Sequence, residues 1–426
     1  MELIVMLLVL LITARLAGEV AERLGQPAIA GELLAGILLG PTLFNLLDPL
    51  SMAAGDPVKI TLDVLTTLAI FFVVFHAGLE MSVDEFYDAI KGKGMYFAMG
   101  SFIVTFLIGF VTGFYFLQTY TGAAVMGLCI SITALPVSVK ILSDLGKLHT
   151  KTGHAIIGTA MVHDIISITV LGVIIGLNVT TGSSDPFAMA MMLLKIAFFM
   201  LLVFTLERSF HVKDGWLAKK FTGFMDRIKS KEAQFSIGVI TAMYFAVIAE
   251  FLGLSYIIGA FYGGLIFSTA TVGKENFAAM KRGTSGIAMG FFAPIFIAYL
   301  GLMFNLRELA PIFWLFAVIL VVSIVSMFSS GYLGARMAGY SDKEALIVGV
   351  GINARGMMEM VVALMAYKAG FIDQNFLSVL VGMALVTTLV TPTILRWLYK
   401  RLPEETAPPG LHEQNELEEL RAWLTR

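Results

Sequence analysis

The sequence predicts an all-α polytopic membrane protein with about thirteen spanning helices. Hydrophobic residues make up 58% of the 426 positions and charged residues only 14%, which is more apolar material than one soluble core needs. The mean hydropathy is +0.86. Charged residues gather in short clusters between apolar runs of about 17 to 25 residues, the length with which a helix crosses a bilayer core.

The apolar runs, separated by charged and turn-forming residues, place the helices along the chain. They are predicted to begin near residues 3, 28, 60, 95, 122, 153, 186, 233, 255, 286, 311, 344 and 375. The first run has no basic stretch or small-residue cleavage site before Arg15, which favours a spanning helix over a removed signal. Residues 1–400 are therefore predicted to form a transmembrane domain, and the Glu-rich residues 401–426 a short cytosolic tail.

Basic residues alternate between the loops. The loops of one set contain in turn Arg23, Lys91 and Lys93, Lys147 and Lys151, Lys213 to Lys231, Lys274 to Arg282, Lys343, and Lys400 with Arg401. The other loops contain almost none beyond Lys59, Arg307 and Lys368. The positive-inside rule predicts that the basic loops are cytoplasmic, with the N-terminus outside and the C-terminus inside, as an odd number of helices requires.

A weak internal repeat relates the two halves of the chain. The segment from Gly31 to Gly36 aligns with that from Gly259 to Gly264, and Gly78 near the end of helix 3 aligns with Gly301 near the end of helix 10. A shift of seven helices gives the two copies opposite topology. Such inverted repeats are typical of secondary transporters with alternating access.

On this repeat helix 5 corresponds to helix 12, and both are interrupted by polar and helix-breaking residues. In helix 5, Pro136 removes a backbone donor and frees carbonyls near Ser131 and Thr133. Helix 12 carries Asn353, Arg355, Gly356 and Glu359. Matching breaks predict a site at the midplane where the two helices cross. Arg355 either neutralises a half-helix end there while pairing with Glu359, or forms only a structural ion pair with it.

Asp164 and His163 lie midway along the apolar helix 6. An acidic residue at the centre of a spanning helix costs about 2.5 to 3.5 kcal/mol or more, and such residues usually mark ion or proton pathways. The alternative is a buried structural carboxylate satisfied by a neighbouring helix. Oxygen ligands suit an alkali cation, so Asp164 and Thr133 are the predicted cation ligands, with Ser131 and Ser167 as further candidates. Two roles fit His163, a pH sensor and a neutral hydrogen-bonding residue.

Other polar residues of the predicted spans are weaker candidates for a functional role. Long side chains near predicted helix ends can reach the interface, so these residues could line a funnel: Glu32, Glu80, Glu250 and Lys195. His76 lies nearer the predicted core. No phosphate-binding loop, metal-ligand spacing or nucleophile triad rises above chance, so neither an enzyme nor a resident cofactor is predicted. No nucleic-acid partner is expected.

Several segments resemble, in order, those of Kef-type and NapA-like monovalent cation:proton antiporters. The resemblance covers residues 15 to 400 and rests on the segments Ala21 to Pro41, Phe75 to Glu80, Thr133 to Val137, His163-Asp164, Pro294 to Gly301, and Asn353 to Glu359. It implies exchange of protons for Na⁺ or K⁺ by an elevator-like motion. It also implies a homodimer in a prokaryotic inner or plasma membrane, with a core around helices 3–6 and 10–13 and a dimerisation part from the remaining helices.

Two departures from the family pattern refine these expectations. Electrogenic relatives have two acidic residues at the position of His163-Asp164 and a lysine in helix 10, whereas no Lys or Arg lies here between Gly286 and Asn305. Electroneutral exchange is therefore expected. Kef-type potassium-efflux members carry a nucleotide-binding domain, for which residues 402–426 are too short, so Na⁺ is placed ahead of K⁺. The alternatives are a channel-like K⁺ pathway, a cation-coupled organic-anion symporter and a non-transporting sensor.

Overall fold

The computed structural model describes residues 3–53, 55–81, 93–180, 186–211, 220, 223, 230–267 and 269–402, and the regular elements within these ranges are helices. They are α1 (Leu3–Arg23), α2 (Ala28–Leu39), α3 (Pro57–Glu80), α4 (Lys93–Leu117), α5a (Tyr120–Ser131), α5b (Leu135–Asp144), α6 (Lys151–Thr180), α7 (Pro186–His211), α8 (Lys231–Phe251), α9 (Tyr256–Leu265), α10 (Lys274–Ile287, continuing through a π-helical turn at Ala288–Phe292 to Ala293–Met303), α11 (Phe313–Met337), α12a (Asp342–Gly351), α12b (Met357–Lys368) and α13 (Gln374–Arg401), with short helical turns at Thr269–Val272, Leu306–Leu309 and Ala310–Ile312.

The predicted all-α membrane fold is confirmed. Among the described residues, nine helices are long and apolar enough to cross a membrane, and shorter apolar helical stretches lie at Ala28–Leu39 (α2), at Ala190–Leu206 within α7 and at Tyr256–Leu265 (α9). The count of about thirteen spanning helices stays a prediction. Apart from its first two residues, the predicted tail at 401–426 lies outside the described residues, as does most of the loop from Lys213 to Lys231.

Helix α10 begins earlier than the hydropathy pattern predicted. The sequence placed its start near residue 286, whereas the structure begins it at Lys274. The first three turns carry Lys274, Glu275, Lys281 and Arg282. These polar residues hide the segment from an apolar-run criterion, although they are compatible with helix at the surface.

Glycines bring corresponding helices of the two halves into close contact. A Cβ atom at Gly36 of α2 would lie 2.0 Å from the Ala298 carbonyl oxygen and 2.8 Å from the Gly301 Cα, both in α10. At the equivalent place in the other half, a Cβ at Gly264 of α9 would lie 2.4 Å from the Phe75 carbonyl oxygen in α3. The α2–α10 contact thus has a counterpart in the α9–α3 contact, as the inverted repeat requires.

We expect Gly301→Ala to destabilise the protein. The added Cβ would lie 2.3 Å from the carbonyl oxygen of Leu33, so α2 and α10 must separate. Overpacking of this kind costs about 1–3 kcal/mol. Thermal unfolding in detergent measures the effect, with Gly290→Ala in the same helix as the matched control, because a Cβ at Gly290 meets nothing within 4 Å. Equal midpoints for the two variants would contradict the close packing.

Apart from α7, the helices form two groups. One contains α4, α5a, α5b, α6, α11, α12a, α12b and α13, and the other contains α1, α2, α3, α8, α9 and α10, each packing mainly within its own group. The sequence placed helices 3 and 10 in the first group. In the structure both pack mainly within the second group: α3 packs against α9 and α10, and α10 packs against α2 and α3, with the glycine contacts described above at the α9–α3 and α2–α10 faces.

Candidate functional site

Two helices of the first group are broken where they cross. Helix α5a ends at Ser131, the chain is extended at Ile132 and Ala134, and α5b begins with Pro136 in its first turn. Proline is tolerated in a first turn because the N–H it lacks would have no intrahelical partner there. Helix α12 is interrupted between Gly351 and Met357.

The two breaks bond directly to each other. The Ala134 N–H donates to the Ala354 carbonyl at 2.9 Å, and the Thr133 hydroxyl donates to the Ile352 carbonyl. A Cβ at Gly356 would lie 2.5 Å from the Ala134 Cβ, so only glycine permits this approach. The extended segments thereby satisfy backbone groups that could not remain unpaired at membrane depth.

Arg355 lies fully buried at the crossing. Its guanidinium donates to the carbonyls of Cys129 at 2.8 Å, Ile130 at 2.7 Å and Ile132, and to the Ser323 hydroxyl at 2.6 Å. These carbonyls belong to the last turn and end of α5a, whose partial negative charge a cation offsets. The Arg355 Nε lies 3.7 Å from Glu359 Oε2. Arg355 therefore bonds the end of one broken helix to the break of the other.

Asp164 lies on α6 beside this crossing and is 3% exposed. Its Oδ1 atom is buried and has no hydrogen-bond partner among the described residues. The carboxylate shares a cavity with Leu135 and Pro136 of the first turn of α5b and with Met357 of the first turn of α12b. Two helix N-termini, each with partial positive charge and free N–H groups, thus border the cavity into which Asp164 faces.

The other predicted cation ligands are buried near the crossing but are not among the described lining residues of this cavity. The Thr133 hydroxyl is bonded to Ile352, and the Ser131 hydroxyl donates to the Leu128 carbonyl at 2.9 Å. The Ser167 hydroxyl is buried and lacks a partner within the described part of the chain. Of the predicted site residues, the described lining of the cavity includes Asp164 and Pro136 but not Ser131, Thr133 or Ser167. Asn353 and Glu359 lie buried on α12 beside Arg355.

His163 faces a different helix from Asp164. Its Nε2 lies 3.1 Å from the Ser101 hydroxyl and 3.1 Å from the Ala98 carbonyl, both on α4. Its ring meets that of Phe102 edge-on with 5.4 Å between centroids. Adjacent positions on a helix diverge by about 100°, which accounts for the separation. His163 is therefore part of the α4–α6 contact, and both of its roles stay predictions.

Two further polar residues line the Asp164 cavity, His76 and Glu80 of α3. The sequence analysis predicts that Glu80 lines a funnel and that His76 lies nearer the core, without connecting either residue to Asp164. Their four-residue spacing on one helix face was the available signal. Whether they share a cavity with Asp164 of α6 depends on how α3 packs against other helices, and the spacing of two residues on α3 carries no information about that packing.

An inverted repeat whose two broken helices cross beside a buried carboxylate defines an ion-coupled secondary transporter. The comparisons with known proteins agree. A family model described as "Sodium/hydrogen exchanger, transmembrane" matches residues 6–401. The chain therefore belongs to the sodium/hydrogen exchanger family, whose members are transporters and not enzymes.

Two relatives and one solved structure match this chain along nearly their whole length. The chain is 26% identical over 403 residues to a Na⁺/H⁺ antiporter of Enterococcus hirae, covering 94% of this chain and 99% of the relative. It is 26% identical over 390 residues to the Na⁺/H⁺-K⁺ antiporter GerN of Bacillus cereus, covering 92% and 94%. The solved structure of the sodium proton antiporter MjNhaP1 from Methanocaldococcus jannaschii has the same fold, with a TM-score of 0.70, 16% identity, and coverage of 95% and 99%.

Proposed function

We propose that this protein exchanges a monovalent cation, Na⁺ or K⁺, for protons, and that Asp164 binds the two in turn. The observation that carries the proposal is the buried Asp164 carboxylate, which has an unpartnered oxygen and faces a cavity at the helix crossing. A buried polar atom without a partner calls for an explanation, and a transported ion supplies one. Competition for one carboxylate suffices to couple the two ions, because a protonated Asp164 cannot hold a cation.

The surroundings of Asp164 suit both of its proposed states. Burial disfavours a bare negative charge, which a proton or a cation removes. The N-terminal turns of α5b and α12b favour the ionised form during the change from one ion to the other. Ser167, three residues further along α6, and Thr133 are the proposed additional oxygen ligands.

The proposed exchange is electroneutral. The Asp164 carboxylate binds either one proton or one monovalent cation, so the charge carried is the same in both directions. His163 occupies the neighbouring position on α6, but its side chain contacts α4. The fixed positive charge of Arg355 is held by backbone carbonyls and Glu359, and in this proposal it does not change during the cycle.

An elevator-like motion of the first helix group against the second is the proposed route between the two sides. Contacts between the two groups include an ion pair and a hydrogen bond between side chains, and such contacts can break and form again. Lys368 of α12b lies 3.5 Å from Asp63 of α3, and the Thr169 hydroxyl of α6 lies 3.0 Å from the Tyr262 hydroxyl of α9. The packing favours α4 to α6 with α11 to α13 as the moving unit, rather than the wider set expected from the sequence.

We further propose a homodimer in the membrane, with the N-terminus outside and the C-terminus in the cytoplasm. The second helix group is the proposed dimerisation part, because it leaves the substrate-bearing group free to move. Native mass measurement of the detergent-solubilised protein tests the dimer, and a monomer mass across protein concentrations would exclude it.

Proteoliposomes that carry a proton gradient and a lumenal pH dye test the exchange. We expect Na⁺ or K⁺ to dissipate the gradient, and we expect Na⁺ to be effective because the relatives quoted above are named for Na⁺/H⁺ exchange. Clamping the membrane potential at zero should leave the rate unchanged for an electroneutral exchanger. A rate that depends on the potential would contradict electroneutrality, and no response to either cation would contradict antiport.

The same assay separates the alternative functions. A channel-like K⁺ pathway would conduct K⁺ without moving protons, so a K⁺ gradient alone would create a membrane potential. A cation-coupled symporter would respond only when an organic anion is added. Among the described residues at the crossing, the strongest candidate for an anion-binding group is Arg355, and its hydrogen bonds to three carbonyls and Ser323 leave it poorly placed to receive one.

A further inference from the structure

The cavity that contains Asp164 extends to the end of α3. Its described lining residues are mostly apolar, and the titratable ones among them are Asp164, His76 and Glu80. Asp164 is 3% exposed as a residue, and the side chains of His76 and Glu80 are 5% and 33% exposed. Glu80 is therefore the most exposed of the three, and its end of the cavity is called the open end.

His76 fixes the position of the Glu80 carboxylate. Its Nε2 lies 3.4 Å from Glu80 Oε1, one helical turn away on the same face of α3. The contact uses Oε1, and the carboxylate has a second oxygen with which to meet a cation. The other ring nitrogen of His76, Nδ1, is buried and has no partner among the described residues, although His76 lines the cavity. An unpartnered polar atom on a lining residue indicates that the cavity binds a polar ligand or an ion.

We propose that Glu80, positioned by His76, is a second cation-binding residue that captures the cation at the open end of the cavity before it reaches Asp164. This proposal rests on the proposed antiport and adds a site to it. A partly exposed carboxylate attracts a cation that is still partly hydrated, and lowers the cost of taking it into an otherwise apolar passage. Glu80 then sets the concentration at which the cation is captured, while Asp164 couples the cation to the proton.

Lys281 of α10 is the charged group that opposes this role. It lies close enough to Glu80 for a Coulombic attraction between the two side chains. A cation bound at Glu80 therefore competes with the charge of Lys281. The proposal therefore predicts two opposite effects. Removing the charge of Glu80 should weaken cation binding, and removing the charge of Lys281 should strengthen it.

The experiment measures the half-saturating cation concentration in two ways, by exchange in proteoliposomes and by cation-dependent thermal stabilisation in detergent. We expect Glu80→Gln to raise this concentration about tenfold with little change in maximal rate, and Glu80→Asp to recover part of the loss. Lys281→Gln should lower it about twofold, and should have no effect in the Glu80→Gln background, because the two charges act on each other. Glu275→Gln is the control, since Glu275 is an exposed acid in the first turn of α10.

Added choline chloride supplies a readout that a structural role of Glu80 would not change. Salt screens an exposed charge over about 10 Å at 0.1 M, so it should raise the half-saturating concentration of the wild type more than that of Glu80→Gln. Unaltered half-saturation and salt dependence in Glu80→Gln, with exchange intact and dependent on Asp164, would overturn this proposal alone. Cation-dependent thermal stabilisation tests the role of Glu80 even if no exchange can be measured. If the wild type shows neither exchange nor cation-dependent stabilisation, both this proposal and the proposed antiport are wrong.

Discussion

Asp164→Asn is expected to abolish cation-dependent proton movement in proteoliposomes, with a fall of at least about a hundredfold that leaves only background leak. Asparagine retains the shape of the side chain and an amide oxygen but carries no negative charge and does not titrate near neutral pH. It can therefore exchange neither a proton nor a cation. The Asp164 carboxylate faces the cavity with an unpartnered oxygen, and no other residue of the described lining is an equally buried acid.

The same substitution should not weaken the fold. Removing a buried charge eliminates its desolvation cost, so the midpoint of unfolding of Asp164→Asn in cation-free detergent should equal or exceed that of the wild type. At a cation concentration one hundredfold above the dissociation constant, the wild type should gain about 2.7 kcal/mol and the variant nothing. Asp144→Asn is the control, because Asp144 is half-exposed and pairs with Lys140 at 3.6 Å. Retained exchange in Asp164→Asn would remove the basis of the proposed mechanism.

Arg355→Ala is expected to cause the largest loss of stability. The substitution leaves the carbonyls of Cys129, Ile130 and Ile132 without their donor and leaves Glu359 as an uncompensated buried acid. Breaking a buried pair by removing one partner costs about 3–5 kcal/mol. Arg355→Lys should restore little of this, because a single ammonium group cannot reproduce the planar set of donors that meets several acceptors at once.

Unfolding in detergent, followed by helical circular dichroism, measures the loss. The matched control is Arg336→Ala, in which an exposed arginine 2.9 Å from Asp342 is removed. An exposed ion pair contributes about 1 kcal/mol or less, so the control should unfold near the wild type. Similar losses in the two variants would mean that Arg355 does not hold the crossing together. Transport by a fully folded Arg355→Ala would lead to the same conclusion.

The fold could be predicted from the sequence to the extent that it follows from local pattern. Apolar runs of spanning length place most helices within a few residues of their observed starts, because burial in lipid demands them wherever they occur. The start of α10 was missed because its first turns are polar. The repeat was visible in Gly36, Gly78, Gly264 and Gly301, since a close approach of backbones restricts the residue type at each of these positions.

The candidate site could be predicted only in part. Asp164, Pro136 and Arg355 stand out in the sequence because a charge or a helix break inside an apolar run is costly and therefore informative. Their partners do not stand out. The three carbonyls bonded to Arg355 belong to ordinary apolar residues, and any residue supplies a backbone carbonyl.

Composition and spacing along single segments are enough to predict a helical membrane protein with two broken helices and a carboxylate within a span. Three relations appear only when the helices pack together: His163 faces α4 while Asp164 faces the crossing, α3 and α10 pack against α9 and α2, and Glu80 and His76 share the cavity of Asp164. Those relations depend on the rotation and packing of helices distant in sequence, and local propensity does not specify them.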